Sequence, residues 1–251
     1  MRVEWVYAFR DNYIYFIDAE DGPDSVVVDP GDAEPVLRRL EQAGRRLAAI
    51  LVTHHHQDHT GGIRALQHFA PQAPVYAGAR NRGRIPGQVV LLDEGAEFAV
   101  SGARCRVIET PGHTWGHVAF FFPGDADAGD LFSGDTIFGC TVGELFEGTP
   151  DDMLESVRKI RALPAGTRIW CAHEYTRVYA REALKVEPDN AELRRRIERL
   201  RALPPGAPTI PLTLAEERAT NPFFRWDDPG LRSKLGAADD ASAFRRLCEI
   251  T

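Results

Sequence analysis

Up to about residue 172 the chain alternates short apolar runs with Gly, Pro and Asp. Runs at 3–9, 13–18, 25–29, 49–53, 75–77, 89–92, 104–110, 118–122, 131–133 and 168–171 are rich in Val, Ile, Phe and Tyr and bounded by turn formers, so each predicts a strand. Three helices interrupt them. One is capped by Asp32 and runs to about residue 42. The next follows Gly61-Gly62 and places Ile63, Leu66 and Phe69 on one face. The third opens on Thr149-Pro150-Asp151-Asp152, where Thr caps, Pro takes the first helical position and the acids meet the positive end of the dipole. Met153, Val157, Ile160 and Leu163 give it a buried stripe.

Beyond His173 the texture turns helical, with helices predicted over 174–186, 191–203 and 241–248, and a short one to residue 219 that Thr213 and Glu216 open as a capping box. The cluster Arg194-Arg195-Arg196 reads as a solvated face. The pattern predicts a β-rich α/β domain over 1–173 and a small helical domain over 174–251.

Composition narrows the class. With 43% hydrophobic and 27% charged residues in 251, the chain is globular rather than disordered or fibrous. No apolar run reaches the length of a membrane span, and Glu4 interrupts what would be the apolar core of a signal peptide. A net charge of -7 argues against nucleic acid or an anionic membrane as partner. Cys105, Cys140, Cys171 and Cys248 are scattered without a CxxC pair. A reducing cytoplasm and a monomer without disulfides are expected, with Cys105 and Cys171 as small core residues.

The segment Thr53-His54-His55-His56-Gln57-Asp58-His59 directly follows an apolar strand. In an extended chain His54 and His56 point the same way and His55 away, while Asp58 and His59 lie in the turn entering the next helix. Three more apolar runs close on a ligand-type residue beside a small one: Gly112-His113, Gly134-Asp135 and Ala172-His173. The ends of strands are where α/β folds place their chemistry. The set divides into His54, His56 and His113 for one metal, Asp58, His59 and His173 for a second, and Asp135 as a bridge. Imidazole and carboxylate without thiolate suit zinc, iron or manganese. Two such ions about 3.5–4 Å apart hold a hydroxide that is a nucleophile at neutral pH. His117 opens a strand and reads as a structural or outer partner of the site; His68 reads as a surface residue.

These motifs resemble the metallo-β-lactamase superfamily, whose mark is the HxHxDH loop. Over the whole chain they resemble glyoxalase II, the hydroxyacylglutathione hydrolases, in Asp11-Asn12-Tyr13, the 53–59 loop, Arg84-Ile85-Pro86-Gly87, Thr110-Pro111-Gly112-His113, Ser133-Gly134-Asp135-Thr136, Phe146-Glu147-Gly148-Thr149, Cys171-Ala172-His173-Glu174-Tyr175 and Asn221-Pro222-Phe223. The resemblance implies an αββα sandwich with a C-terminal helical domain. It implies two divalent metal ions per chain, zinc first with iron or manganese as alternatives, and a small-molecule thioester as substrate. A metal-held hydroxide would attack the thioester carbonyl, with Asp58 and Asp135 in catalytic positions.

It also points to substrate contacts at Tyr175, Phe146, Glu144, Arg245 and Cys248. Three of these depart from the family. Glu144 stands where the family has Lys or Arg, Phe146 where Tyr is common, and Cys248 where a Lys follows the matching Arg245. The alternative reading is a dinuclear hydrolase of the same build acting on a thioester of a different thiol, or on another ester or lactone. A non-enzymatic scaffold is opposed by the complete ligand set, a one-iron persulfide dioxygenase by the second ligand group, and a zinc β-lactamase by the helical tail and by Asp135 in place of Cys.

Overall fold

The computed structural model of the chain describes residues 1–125 and 128–250. Two six-stranded sheets face each other. The first holds β1 (Arg2–Ala8), β2 (Asn12–Asp18), β3 (Asp24–Val28), β4 (Arg46–Val52), β5 (Val75–Gly78) and β6 (Val89–Leu92), in that spatial order. α1 (Ala33–Gln42), α2 (Gln57–Thr60) and α3 (Ile63–Phe69) lie between its strands in sequence. The second sheet has the order β14-β13-β10-β9-β8-β7, from β7 (Glu97–Val100), β8 (Ala103–Glu109), β9 (Val118–Pro123), β10 (Ala128–Gly134), β13 (Gly166–Cys171) and β14 (Leu212–Thr213). A hairpin of β11 (Ile137–Phe138) and β12 (Thr141–Val142) precedes α4 (Pro150–Arg161). α5 (Thr176–Val186), α6 (Ala191–Ala202), α7 (Leu214–Thr220), α8 (Pro229–Leu235) and α9 (Asp240–Ile250) follow.

Alternation explains the layering. Tyr13, Tyr15 and Ile17 of β2, Val26 and Val28 of β3, and Ala49 and Leu51 of β4 face the second sheet. The intervening Ile14, Phe16, Val27, Ile50 and Val52 pack with Val36 and Leu40 of α1 and Ile63 and Leu66 of α3. Strands covered on both sides need apolar residues at successive positions, which is why these segments read as unbroken runs. Phe69 departs from the expected stripe: it is 59% exposed, because successive steps of three residues fall short of a full turn and drift off the buried face, where Ala70 lies instead. α4 begins as its sequence predicts. The Thr149 hydroxyl accepts from the Asp152 amide, and the Asp152 carboxylate accepts from the Thr149 amide.

The helical tail does not stand apart from the sandwich. β14 pairs antiparallel with β13, and Leu214, Phe223, Trp226, Phe244 and Leu247 join the same core as the sheets. A smaller cluster of Ala180, Ala183, Leu193 and Ile197 closes over Cys140 of the hairpin. Here the expected solvated face of α6 is corrected. Arg194 and Arg195 are exposed, but Arg196 is only 2% exposed. Its guanidinium lies 2.6 Å from Glu217 and 2.6 Å from the Thr220 hydroxyl. The helical period turns every third or fourth residue inward, and Glu217 on α7 supplies the countercharge that makes burial tolerable. Glu217 also accepts from the Cys140 amide and from Asn221, so the pair ties α6, α7 and the hairpin together. Arg196→Ala would leave that carboxylate buried and uncompensated, and is expected to destabilise the fold by about 3–5 kcal/mol in urea unfolding; a loss under about 1 kcal/mol would be that of an exposed pair.

Candidate metal centre

Five strand ends meet at one point between the sheets. β4 runs into Thr53 and His54; His56 precedes α2, and Asp58 and His59 sit on that single turn. β8 leads to His113, β10 to Asp135 and β13 to His173, while β3 delivers Asp29. Gly134 permits the approach of β10. Its φ is +49°, and a Cβ there would lie 2.5 Å from Thr53 Oγ1 and 2.7 Å from His117 Nε2. Gly31 has the same function beside α2, since a Cβ would collide with the Asp58 carbonyl.

Ligand atoms of His54, His56, His113 and Asp135 lie within 4.8 Å of one another, as do those of Asp58, His59 and His173. Asp135 touches both groups, 3.3 Å from His113 Nε2 through one oxygen and 3.6 Å from His59 Nε2 through the other. His173 Nε2 lies 3.6 Å from Asp135 and 3.4 Å from Asp58. His55 points elsewhere, with Nε2 2.6 Å from the Arg84 guanidinium and 3.6 Å from Glu147.

Neighbours outside the cluster decide which ring nitrogen is free. His113 Nδ1 lies 2.7 Å from the Glu144 carbonyl, which can only accept, so Nδ1 carries the proton and Nε2 offers a lone pair to the cluster. His173 Nδ1 meets Asp11 at 2.9 Å, and His59 Nδ1 lies 3.1 Å from Asp29. His54 Nδ1 meets the Thr53 hydroxyl at 3.1 Å, and that hydroxyl donates to Asp29 at 2.8 Å. Asn12 donates to the Asp58 carboxylate at 2.9 Å. His117, fully buried, accepts the Asp135 amide at Nε2 and meets the hydroxyls of Thr110 and Thr136 at Nδ1. This is the outer arrangement that orients metal-binding imidazoles and carboxylates.

Among the described residues His54 Nε2, His59 Nε2 and Asp135 Oδ1 are buried with no hydrogen-bond partner. Orphaned buried polar atoms are costly, and three converging ones fit a bound cation. The charge distribution agrees. Burial pushes His54 well below the ordinary imidazole range and His56 down to about 4, with neighbouring imidazoles adding to the effect. His59 and His173 go the other way. Burial opposes their protons, but Asp135 and Asp29 hold His59 far up, and Asp135 and Asp58 hold His173 at about 10. Asp58 and Asp135 stay well below the usual carboxylate range against their burial, through His173 and His59. Positive charge is therefore demanded where the two ligand groups meet, and the donor set suits a dinuclear metal site.

The other sequence candidates have distinct surroundings. Tyr175 is half-buried and stacks on His173, with centroids 4.9 Å apart and planes 8° apart. Phe146 is exposed and meets the rings of His56 and His113 edge-on. The Glu144 side chain is exposed. Arg245 is paired with Asp151 at 2.6 Å, and Cys248 packs against the main core, its thiol pushed up to about 12 by burial. Asp29, Asp11 and Asn12 are site residues that the residue-by-residue reading did not single out. Asp29 has the same signature as Asp135 and His173, a polar residue closing an apolar run.

Residues 8–173 match the sequence family described as the metallo-beta-lactamase superfamily, and 174–250 match the hydroxyacylglutathione hydrolase C-terminus. A hydroxyacylglutathione hydrolase of Synechococcus sp. (strain JA-3-3Ab) is 49% identical over 98% of this chain and 97% of its own length. Among solved structures, a metallo-beta-lactamase from Staphylococcus aureus subsp. aureus COL superposes with a TM-score of 0.70 at 21% identity, covering 98% of this chain and 66% of that one. TTHA1623, solved in a di-iron-bound form, gives a TM-score of 0.61 at 28% identity over 89% of this chain and all of its own. With its αββα sandwich, clustered imidazoles and carboxylates, and helical tail, the chain belongs to the hydroxyacylglutathione hydrolase family of the metallo-β-lactamase superfamily.

Proposed function

We propose that this protein hydrolyses S-(2-hydroxyacyl)glutathione, such as S-D-lactoylglutathione, to a 2-hydroxy acid and glutathione, the second step of methylglyoxal detoxification, as a cytoplasmic monomer. The observation that carries this reading is the convergence of seven imidazole and carboxylate side chains in two groups that Asp135 joins, in a chain nearly half identical to named hydroxyacylglutathione hydrolases. His54, His56 and His113 would hold one divalent ion, Asp58, His59 and His173 the other, and Asp135 would bridge. Zinc is the first choice for such donors, and iron is supported by the di-iron form of TTHA1623. A metal pair so bound supplies Lewis acidity and acidifies water toward neutral pH.

The chain's own residues do the rest. Asp11 and the Glu144 carbonyl keep His173 and His113 in the tautomer that presents Nε2, Asp29 faces His59 Nδ1, and Asn12 fixes Asp58. The Asp58 carboxylate, 40% exposed, faces the opening and is placed to orient an attacking water. No general acid is required for departure, because a thiolate leaves readily. The proposed substrate wall consists of Tyr175 and Phe146 beside the ligand rings, with Glu144, Arg245 and Cys248 at the positions that meet the thiol carrier in the family. Residues 1–173 would then supply the catalysis, and 174–251 the helical side of the binding site.

Two predictions test this reading. Protein purified without chelators should carry two metal ions per chain by elemental analysis, and Asp135→Ala should lower kcat/KM by more than about 100-fold, beyond the loss of a mere outer partner, while the far-ultraviolet circular dichroism stays native. Full metal loading with unchanged activity would remove Asp135 from the centre. The carrier is tested by comparing S-D-lactoylglutathione with a thioester lacking the glycyl carboxylate. The glutathione ester should be preferred, and Glu144→Arg should lower its KM by roughly tenfold, the worth of one charge-assisted contact. Equal turnover of both esters would overturn glutathione as the carrier and favour a different thiol.

A further inference from the structure

α5 packs against α6, and the turn at 203–206 closes one end of the space between them. The result is a cleft of about 300 Å³, at the lower end of the range for small-ligand sites. Its floor is apolar: Ala180 and Ile197 are buried and Leu200 is half-buried. Three arginines, Arg177, Arg181 and Arg201, are among the residues that line it. None of its lining residues belongs to the metal centre.

We propose that this cleft binds a small organic anion, its carboxylate or phosphate held by the three arginines and its short apolar body resting on Ala180, Ile197 and Leu200. The charge pattern is the main argument. Arg177 is anchored by the carbonyls of Ala207 at 2.8 Å and Pro204 at 3.3 Å, which fixes the turn against α5 but supplies no formal negative charge. Arg181 lies four residues on, on the same helical face, where a like charge is unfavourable. Among the described residues neither Arg181 nor Arg201 has an acidic partner within ion-pairing distance.

The other arginines of α6 are all compensated, Arg194 by Asp189, Arg195 by Glu192, Arg196 by Glu217 and Arg199 by Glu216. Glu182, adjacent to Arg181, is taken by Lys185. In a chain with net charge -7 and many exposed acids, three arginines lining one cleft with no carboxylate among its lining residues leave room for an anion from solution. Planar forks of donors match carboxylate and phosphate in two-pronged fashion. The apolar floor selects an organic anion over a bare inorganic one, and the small volume together with the neutralised outer arginines disfavours a polyanion such as nucleic acid.

The test is calorimetric titration of the metal-loaded protein with benzoate, phenyl phosphate and inorganic phosphate. Benzoate or phenyl phosphate should bind saturably at one site, at least about tenfold more tightly than inorganic phosphate, and the stronger of the two identifies the headgroup. The double variant Arg181→Gln, Arg201→Gln should weaken that binding at least about tenfold, with thioester hydrolysis in the absence of the anion unchanged. No saturable binding at millimolar concentrations would overturn the proposal. Binding that survives the double variant would assign the anion to the metal centre and overturn it equally, and inorganic phosphate binding as tightly as the organic anions would overturn the organic ligand class. Each outcome is read by binding, so it is independent of which thioester the metal centre hydrolyses.

Discussion

Two carboxylates and five imidazoles brought together out of water cannot remain there without positive charge between them. Desolvation alone would favour the neutral form of each group; instead the carboxylates push the His59 and His173 imidazoles up, and those imidazoles hold the Asp58 and Asp135 carboxyls down. That pull toward positive charge is what divalent cations satisfy in a site of this donor composition. The fold meets the same demand geometrically. Ligands arrive from β4, β8, β10 and β13, so the two sheets must keep their mutual register for the groups to face one another. The amide of Val118 at the start of β9 donates to the Thr53 carbonyl just past β4, a direct link between the sheets at the level of the ligands.

The outer partners show why ligands alone would be insufficient. A neutral imidazole offers one lone pair, and which nitrogen carries it is decided on the far side of the ring. Asp29 does this for His54 through the Thr53 hydroxyl, and its carboxylate also lies 3.1 Å from His59 Nδ1. It is itself a non-glycine residue with φ +51°, an unfavourable backbone state that the surrounding hydrogen bonds hold in place. His117, fully buried, accepts from the backbone of Asp135 at one ring nitrogen while the hydroxyls of Thr110 and Thr136 hold the other.

Much of this was legible in the sequence because it follows from local periodicity. The two-residue repeat of a strand separates His54 and His56 from His55, and an apolar run ending on a polar residue marks His113, Asp135 and His173. Asp29 escaped notice because an Asp before Pro30-Gly31 looks like an ordinary turn former; its partners Thr53 and His59 lie more than twenty residues away. Arg196 is illegible for a similar reason. Three consecutive arginines look like a solvated stripe, and only the tertiary placement of Glu217 reveals that the third turns inward. The short strands β7 and β14 carry too little pattern to be seen alone, and are set by the strands they join.

The helical tail is where local reading is weakest and tertiary packing matters most. β13 passes into His173, Tyr175 and then α5 without a break, so a metal-ligand candidate, the ring stacked upon it and the first helix of the tail form one continuous stretch of chain. If the tail had its own separate core, thermal motion between two bodies would be transmitted directly to that stacked pair. The structure prevents this by pairing β14 with β13 and burying Phe223, Trp226, Phe244 and Leu247 in the core of the sandwich. Cys248 follows from the same logic: it adds its small apolar volume to α9's contact with the core. The centre and the helical tail beside it are thus fixed by one shared interior, while the side chains of Glu144 and Phe146 are exposed.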